Sequence, residues 1–369
     1  MHRTKRQYFP TIIVSLSALA LGLLAWRLCW PPALYQVTIL PSLGGQGAMA
    51  SALNDRNQVV GIEHIQHDEH LFVWDSERGI QDLGPASEGR PLTINNAGQI
   101  SGAMPTAHSR NECEAFLWEP GKGRTMLGTL GEKQSFPVAM NNRGQIIGRC
   151  WSPDDPNFIW RQRSFIWDKA AGIRELDVPG SPDCQAMSIN DRGQILSSGL
   201  YIDPSSASFL LDPNGPKPLI ELPSHTWFCE VNNRSCVAGR VHSEKSGFGE
   251  SYLVLLDQQR TLKRLSGTWS LSEPILNDRN QIAYMEYHQR PEDWWRHKIS
   301  RRRSRVVEGV PYLWDPSRGR IALKRYTRGM RYFRIEDLNN NGCIIGVGMT
   351  KDHLSRSVLL EPIPKRWAK

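Results

Sequence analysis

The sequence predicts an all-β fold, a seven-bladed β-propeller closed by its own N-terminal strand and preceded by one N-terminal transmembrane helix. Three observations carry this reading. A phrase built around a double Asn/Asp recurs seven times, a strand rich in aromatics follows it at a steady distance, and an uncharged apolar run from Thr11 to Trp26 extends, past Arg27, to Trp30. Self-similarity at 40 to 50 residues marks a four-stranded propeller blade.

The apolar run comes first. His2, Arg3, Lys5 and Arg6 precede it, within a cytoplasmic n-region of residues 1–10. Positive charge before an apolar segment long enough to span the bilayer orients the N-terminus inside and the remainder outside. Ala18-Leu19-Ala20 offers a competing reading as a signal-peptide cleavage site, but the apolar stretch continues past it, which favours an uncleaved signal-anchor. Residues 31–34 are a linker, the propeller occupies 35–362, and 363–369 form a basic tail. The expected location is a bacterial cell membrane, single-pass, with the propeller exported to the periplasm or cell surface.

The repeated phrase is clearest as Leu53 to Gly61, Ile94 to Gly102, Met140 to Gly148 and Ile189 to Ile195, with weaker copies led by Asn232, Asn277 and Asn339. Its leading asparagines are 41, 46, 49, 42, 45 and 62 residues apart. Asn and Asp side chains bond their own backbone and Gly supplies positive φ, so the phrase is a tight hairpin turn. It joins strand a to strand b. Strand c recurs as Phe72-Val73-Trp74-Asp75, Phe116-Leu117-Trp118-Glu119, Phe165-Ile166-Trp167-Asp168, Phe209-Leu210-Leu211-Asp212 and Tyr312-Leu313-Trp314-Asp315, and strand d ends near Leu83-Gly84, Leu127-Gly128 and Leu176. The seventh unit reaches strand c at Ser357 to Leu360 and then lacks a strand d, which Tyr35 to Leu40 can supply, removing the open edges.

The phrase Ile-Asn-Asn-x-Gly-Gln-Ile-x-Gly, with Glu114-Ala115-Phe116-Leu117-Trp118 and Leu127-Gly128-Thr129-Leu130-Gly131, resembles the extracellular HAF-repeat family. The resemblance implies a bacterial, exported, propeller-like protein of largely unassigned function and carries over no catalytic residue. Blades four to seven depart from it. Leu211 replaces Trp, Ser235 or Asn280 replaces the turn Gly, and Cys236 or Cys343 replaces Gln.

Charge locates the first candidate site. The chain carries 45 Lys and Arg against 37 Asp and Glu, yet residues 31–289 hold 22 against 29 while 290–334 hold 14 against 4. An insertion at 288–310, between strands b and c of blade six, contains Trp294, Trp295, Arg296, Lys298, Arg301, Arg302, Arg303 and Arg305. Interleaved Trp and Arg suit an anionic envelope polymer or an acidic protein, whereas a solvated charged loop is the plainer reading. Export makes nucleic acid an unsuitable partner.

Other chemistry is sparse. His64, His67 and His70 have the spacing for a transition metal but no His-Glu-x-x-His frame. Cys113 and Cys150 fall in b-to-c connections of neighbouring blades and can form a disulfide if their α-carbons approach within ~7 Å. No nucleophile elbow, phosphate loop or paired-cysteine zinc motif occurs, so no catalytic residue or cofactor is assigned. The reading is a membrane-anchored exported propeller acting as a binding or scaffolding module. The alternative is a hydrolase or lyase of an envelope polysaccharide using the propeller face or channel; three or more carboxylates or histidines converging at the channel mouth would favour it, and an apolar or plain channel would favour binding.

Overall fold

The computed structural model describes residues 34–364 except 46, 67, 86–91, 107–111, 154–161, 177–184, 199–207, 213–214, 219–225, 243–250, 269–271, 288–308 and 353. Among the described residues no helix is long and apolar enough to cross a membrane. The anchor expected at 11–30 lies outside them.

Seven four-stranded sheets form the blades. Blade one runs Met49–Leu53, Val59–Ile65, Asp68–Asp75 and Gly79–Pro85, strands a to d in chain order, and blades two to six repeat this order through strand d of blade six at Gly319–Ala322. The seventh sheet orders Tyr35–Ile39, Ser355–Pro362, Ile344–Met349 and Arg331–Leu338. Within it the Leu40 N–H donates to the Ser357 carbonyl at 2.9 Å. By compactness Val37–Leu360 is one unit. A small second unit comprises Met1–Gln36 and Glu361–Lys369, in which the Ile363 N–H donates to the Leu34 carbonyl at 2.9 Å.

Between blades the core is apolar and flat-packed. Leu40, Ala50, Val59, Phe72 and Trp74 pack with Cys343, Ile345 and Leu359, joining blades one and seven, and comparable clusters fill other blade interfaces. The last Gly of the phrase explains itself here. A Cβ on Gly148 would stand 2.2 Å from the Phe136 carbonyl oxygen and 2.4 Å from Phe165 Cζ, so only glycine lets the ring of its cross-strand neighbour lie flat on strand b.

The leading asparagines do more than close turns. Each is buried. Asn54 Oδ1 accepts from the N–H groups of Arg56 and Gln58, as an Asx turn requires, and the other six repeat this. Each Nδ2 then donates across the blade boundary. Asn54 bonds the Asn95 carbonyl at 2.9 Å, Asn95 bonds Asn141, Asn141 bonds Asn190, Asn190 bonds Asn232, Asn232 bonds Asn277, Asn277 bonds Asn339, and Asn339 returns to the Asn54 carbonyl at 2.9 Å. The next position repeats the circuit. The N–H groups of Asp55, Asn96, Asn142, Asp191, Asn233, Asp278 and Asn340 each donate to the side-chain Oδ1 of the following member, at 2.7 to 2.8 Å. Two closed belts thus girdle the face that carries the a-to-b turns.

The second Nδ2 hydrogen has a rule of its own. In five blades it goes to the Gln of the same turn, Gln58, Gln99, Gln145, Gln194 or Gln281. Blades five and seven have Cys236 and Cys343 there, and the hydrogen goes instead to Asn280 Oδ1 and Asn57 Oδ1 of the following blade, at 2.7 and 2.8 Å. Both acceptors sit in the left-handed region, at φ +59°. Where Gln is present, the following blade has a small residue at that place: a Cβ on Gly144 would come within 3.2 Å of Gln99 Oε1, and Ser235 donates its hydroxyl to Gln194 Oε1 at 2.6 Å. The departures from the repeat are therefore paired across blade boundaries, Gln with a small residue and Cys with Asn.

Because an unsatisfied buried donor costs about 1–3 kcal/mol, Asn280→Gly should destabilise the protein, partly offset by relief of its positive φ. Cys236→Gln should crowd Asn280. The double variant Cys236→Gln/Asn280→Gly recreates the pairing of the other blades, and urea unfolding should show a favourable coupling of about 0.5–3 kcal/mol, whereas simple additivity would contradict the shared-space rule.

Candidate functional site

Strand a of every blade lines a cavity of about 350 Å³ that opens through the belted turns. In five blades this strand carries a β-bulge three residues before the leading asparagine, with register shifts across Ser51, Val138, Met187, Cys229 and Glu336. A bulge re-aims the side chains beside it.

The described wall holds six carboxylates and no Lys, Arg or His. Asp55, Asp191 and Asp278 belong to the second belt, where each is flanked by asparagines. Asn96 Nδ2 donates to Asp55 at 2.9 Å, and Asn233 Nδ2 donates to both Asp191 and Asp278 at 2.8 and 2.9 Å. That alternation keeps like charges from meeting across a blade boundary. Glu230, Glu336 and Asp337 lie deeper. Ser188 donates its hydroxyl to Glu230 at 2.8 Å and accepts the Val231 N–H at 3.3 Å, and Asp337 accepts the Leu53 N–H across the boundary of blades seven and one at 2.8 Å.

Enclosure by protein sets their protonation. Burial pushes the Glu230 carboxyl up to about 8, against the Ser188 hydrogen bond and with repulsion from Asp337 and Glu273. Burial likewise raises Asp337 to about 6, against the N–H groups of Leu53 and Leu338. Glu336 is raised by burial, with Arg334 opposing. A raised, partly wetted carboxyl in a cavity is the pattern of a proton donor. Among the described residues no group of three His, Cys, Asp or Glu is close enough to hold a metal.

The residues singled out from sequence fare differently. His64 stands opposite Glu69 and His70 opposite Glu63 in the pairing of strands b and c. Neighbours along a strand alternate faces, so His64 and His70 point to opposite sides of the sheet and do not converge. Instead His64 Nε2 meets Glu69 at 3.0 Å and His70 Nδ1 meets Asp82 at 2.8 Å. His67 lies outside the described residues. Glu63, on the other side from His64, is buried and accepts the N–H groups of Leu43, Gly45 and Gly47 and the Ser42 hydroxyl, fixing the loop that leads into strand a of blade one.

Cys113 and Cys150 were expected in connections but lie within strands, at the start of strand c of blade two and near the end of strand b of blade three. They occupy separate apolar clusters, Cys113 with Ala103 and Phe136, Cys150 with Ala115, Leu117 and Phe165. No disulfide joins the two. Burial pushes the Cys150 thiol up to about 12, which leaves it inert. Trp294, Trp295, Arg296, Lys298, Arg301, Arg302, Arg303 and Arg305 lie outside the described residues.

No protein-family profile and no curated relative matches the chain. Solved structures do. A catalytically inactive virginiamycin B lyase from Staphylococcus aureus with quinupristin aligns over 89% of this chain and 100% of its own, at 11% identity and TM-score 0.56. The propeller domain of the trilobed protease from Pyrococcus furiosus, described as having an open velcro topology, aligns over 85% and 95% at 10% identity and TM-score 0.56. Acylaminoacyl peptidase from Pyrococcus horikoshii aligns over 85% of this chain but 51% of its own, at 9% identity and TM-score 0.56. These likenesses are of fold.

The channel acids make a pH prediction. Glu230 keeps its proton in the folded state at pH values where the unfolded chain has released it, so its contribution is full below the ordinary carboxylate range and is lost as pH rises through about 8. Glu230→Gln should therefore gain most over wild type in thermal melts at about pH 8.5 and least at about pH 5. An equal shift at both would show that Glu230 is charged throughout.

Proposed function

We propose that the chain is a membrane-anchored, exported propeller of the HAF-repeat kind that acts as a binding module, its b-to-c loop face meeting an anionic partner in the periplasm or at the cell surface. The observation that carries this is the division between the two faces. The a-to-b turns are one motif, locked blade to blade by the belts, whereas length and charge vary in the b-to-c connections. Variable loops on a rigid scaffold are where recognition evolves. Fourteen of the 45 cations fall in residues 290–334, the span that holds most of the 288–310 insertion.

The domain limits follow the sequence: 1–10 inside, 11–30 as the anchor, 31–34 as a linker, 35–362 as the propeller and 363–369 as a tail. Tyr35 to Leu40 closes the ring as strand d of blade seven, a reading supported by the sheet order and the Leu40 to Ser357 hydrogen bond. Tyr35 begins that strand on the belted side, and an anchor joined there would aim the loop face away from the bilayer.

A second reading has its own support. Glu230, raised to about 8 inside the channel, is suited to donate a proton, as a polysaccharide hydrolase or lyase needs. Turnover of envelope polysaccharide that falls with both Glu230→Gln and Asp337→Asn would favour it over the binding module.

Replacing Arg301, Arg302 and Arg303 together by Ser should weaken capture of anionic polymer from envelope extracts, with the loss shrinking as salt rises, and leave the fold intact. Unchanged capture would count against the loop face. Deleting Tyr35 to Leu40 should bare the edge of Ser355–Pro362 and lower solubility; a fully soluble, equally stable product would count against closure by this strand.

A further inference from the structure

On the loop side, strand d of blade six ends at Ala322 and strand a of blade seven starts at Arg331. The connection is well anchored. A 3-10 turn, Lys324–Thr327, follows Leu323, whose N–H donates to the Pro311 carbonyl at 2.9 Å and whose carbonyl accepts the Tyr326 N–H at 2.9 Å. Beside it lies a cavity of about 450 Å³, lined by Lys324, Arg325 and Arg328 together with Met330, Tyr332 and Phe333. Ligand pockets fall in this size range.

Its charge is one-sided. From Pro316 to Ile335 the chain holds seven Lys and Arg and no Asp or Glu, and the described cavity wall holds no carboxylate. Arg320 pairs with the buried Glu286, Arg334 pairs with Glu336 at 2.5 Å, and Arg325 donates to the Tyr326 hydroxyl with its guanidinium 4.7 Å from that ring's centroid. Arg328 is exposed and makes no ion pair among the described residues.

The rest of the lining is largely apolar and built at a cost. Strand a is irregular between Arg331 and Arg334, and Tyr332 in that bulge adopts φ +55° with 51% of its surface exposed. A bulky aromatic seldom takes this conformation, and Asn or Gly would take it more readily. Phe333 beside it is buried. Fold stability alone gives no reason for a strained, half-exposed tyrosine in a cavity that three cations also line.

We infer that this cavity binds an acidic sugar residue of an anionic polysaccharide, the cations taking the carboxylate and Tyr332 covering the ring. The inference rests on the binding reading above and gives it a site within the described fold. Arginine's planar fork matches a carboxylate in two hydrogen bonds, and tyrosine offers an apolar face with a polar tip. A bare phosphate would use the cations but leave the Met330 and Tyr332 wall idle. An acidic peptide would supply charge without a ring to cover.

The test uses the full chain in detergent with oligogalacturonate as the probe, and polyphosphate and polyglutamate as matched anions, read by calorimetry. Arg325→Gln and Arg328→Gln should each weaken oligogalacturonate binding about tenfold. Tyr332→Asn, which suits the backbone and should melt no lower than wild type, should weaken oligogalacturonate several-fold and leave polyphosphate unchanged. Equal wild-type affinity for the three polymers, or wild-type affinity in all three variants, would overturn the assignment. If the cavity variants bind normally while the Arg301 to Arg303 replacement still lowers polymer capture, the cavity is wrong and the loop-face reading stands; if neither changes binding, both fall.

Discussion

The structure depends on the side-chain amide of one asparagine per blade. With its oxygen that amide closes its own turn, and with its nitrogen it reaches the backbone of the next blade. Neither half alone would make a ring: the first gives seven separate hairpins, the second has nothing rigid to act from. A hydrogen bond of this kind contributes about 0.5–1.5 kcal/mol net, and a buried amide left unpaired costs more. The belts therefore matter as much for what they forbid, a blade rotated or shifted out of place, as for what they add. Apolar clusters between sheets supply the bulk of the packing but are tolerant of sliding, so the belts set the register.

That geometry also explains why the channel is acidic. Bulged inner strands present one or two side chains each to the axis, and the belt already consumes the turn residues with carboxylates spaced by amides. Below it, Glu230 and Asp337 are held by Ser188 and by the Leu53 N–H, from neighbouring blades. Such groups stay proton-bound above the usual carboxylate range because burial disfavours their charged forms.

Much of the fold was legible because its signal is local. Turn chemistry fits within five residues, and strand c announces itself by aromatics ending in an acid. The bonds between blades were not legible, because their partners stand 41 to 62 residues apart and, at the last boundary, 285 apart. Cys236, Asn280, Cys343 and Asn57 read as decay of the repeat; only in space do they become matched pairs. Glu230, Glu336 and Asp337 carry no motif, and a bulge decides which of them faces the axis. His64 and His70 have a ligand-like spacing in sequence but lie on opposite sides of the sheet, because spacing along a chain ignores the alternation of a strand. The cavity beside Tyr332 was half visible as a run of cations, but its aromatic wall depends on one residue's positive φ.

The pairing of Gln with a small residue and Cys with Asn gives the ring the logic of dominoes. Each blade has a leading end and a trailing end, and only ends of the same kind may touch. Blade six can follow blade five, and blade one can follow blade seven, but a copy of blade two set after blade five would leave an amide hydrogen with no acceptor. A gene that grew by duplicating blades could therefore not shuffle them freely. At this position its repeats can diverge only two at a time, on either side of a boundary, so which blades may be neighbours is written into the chain.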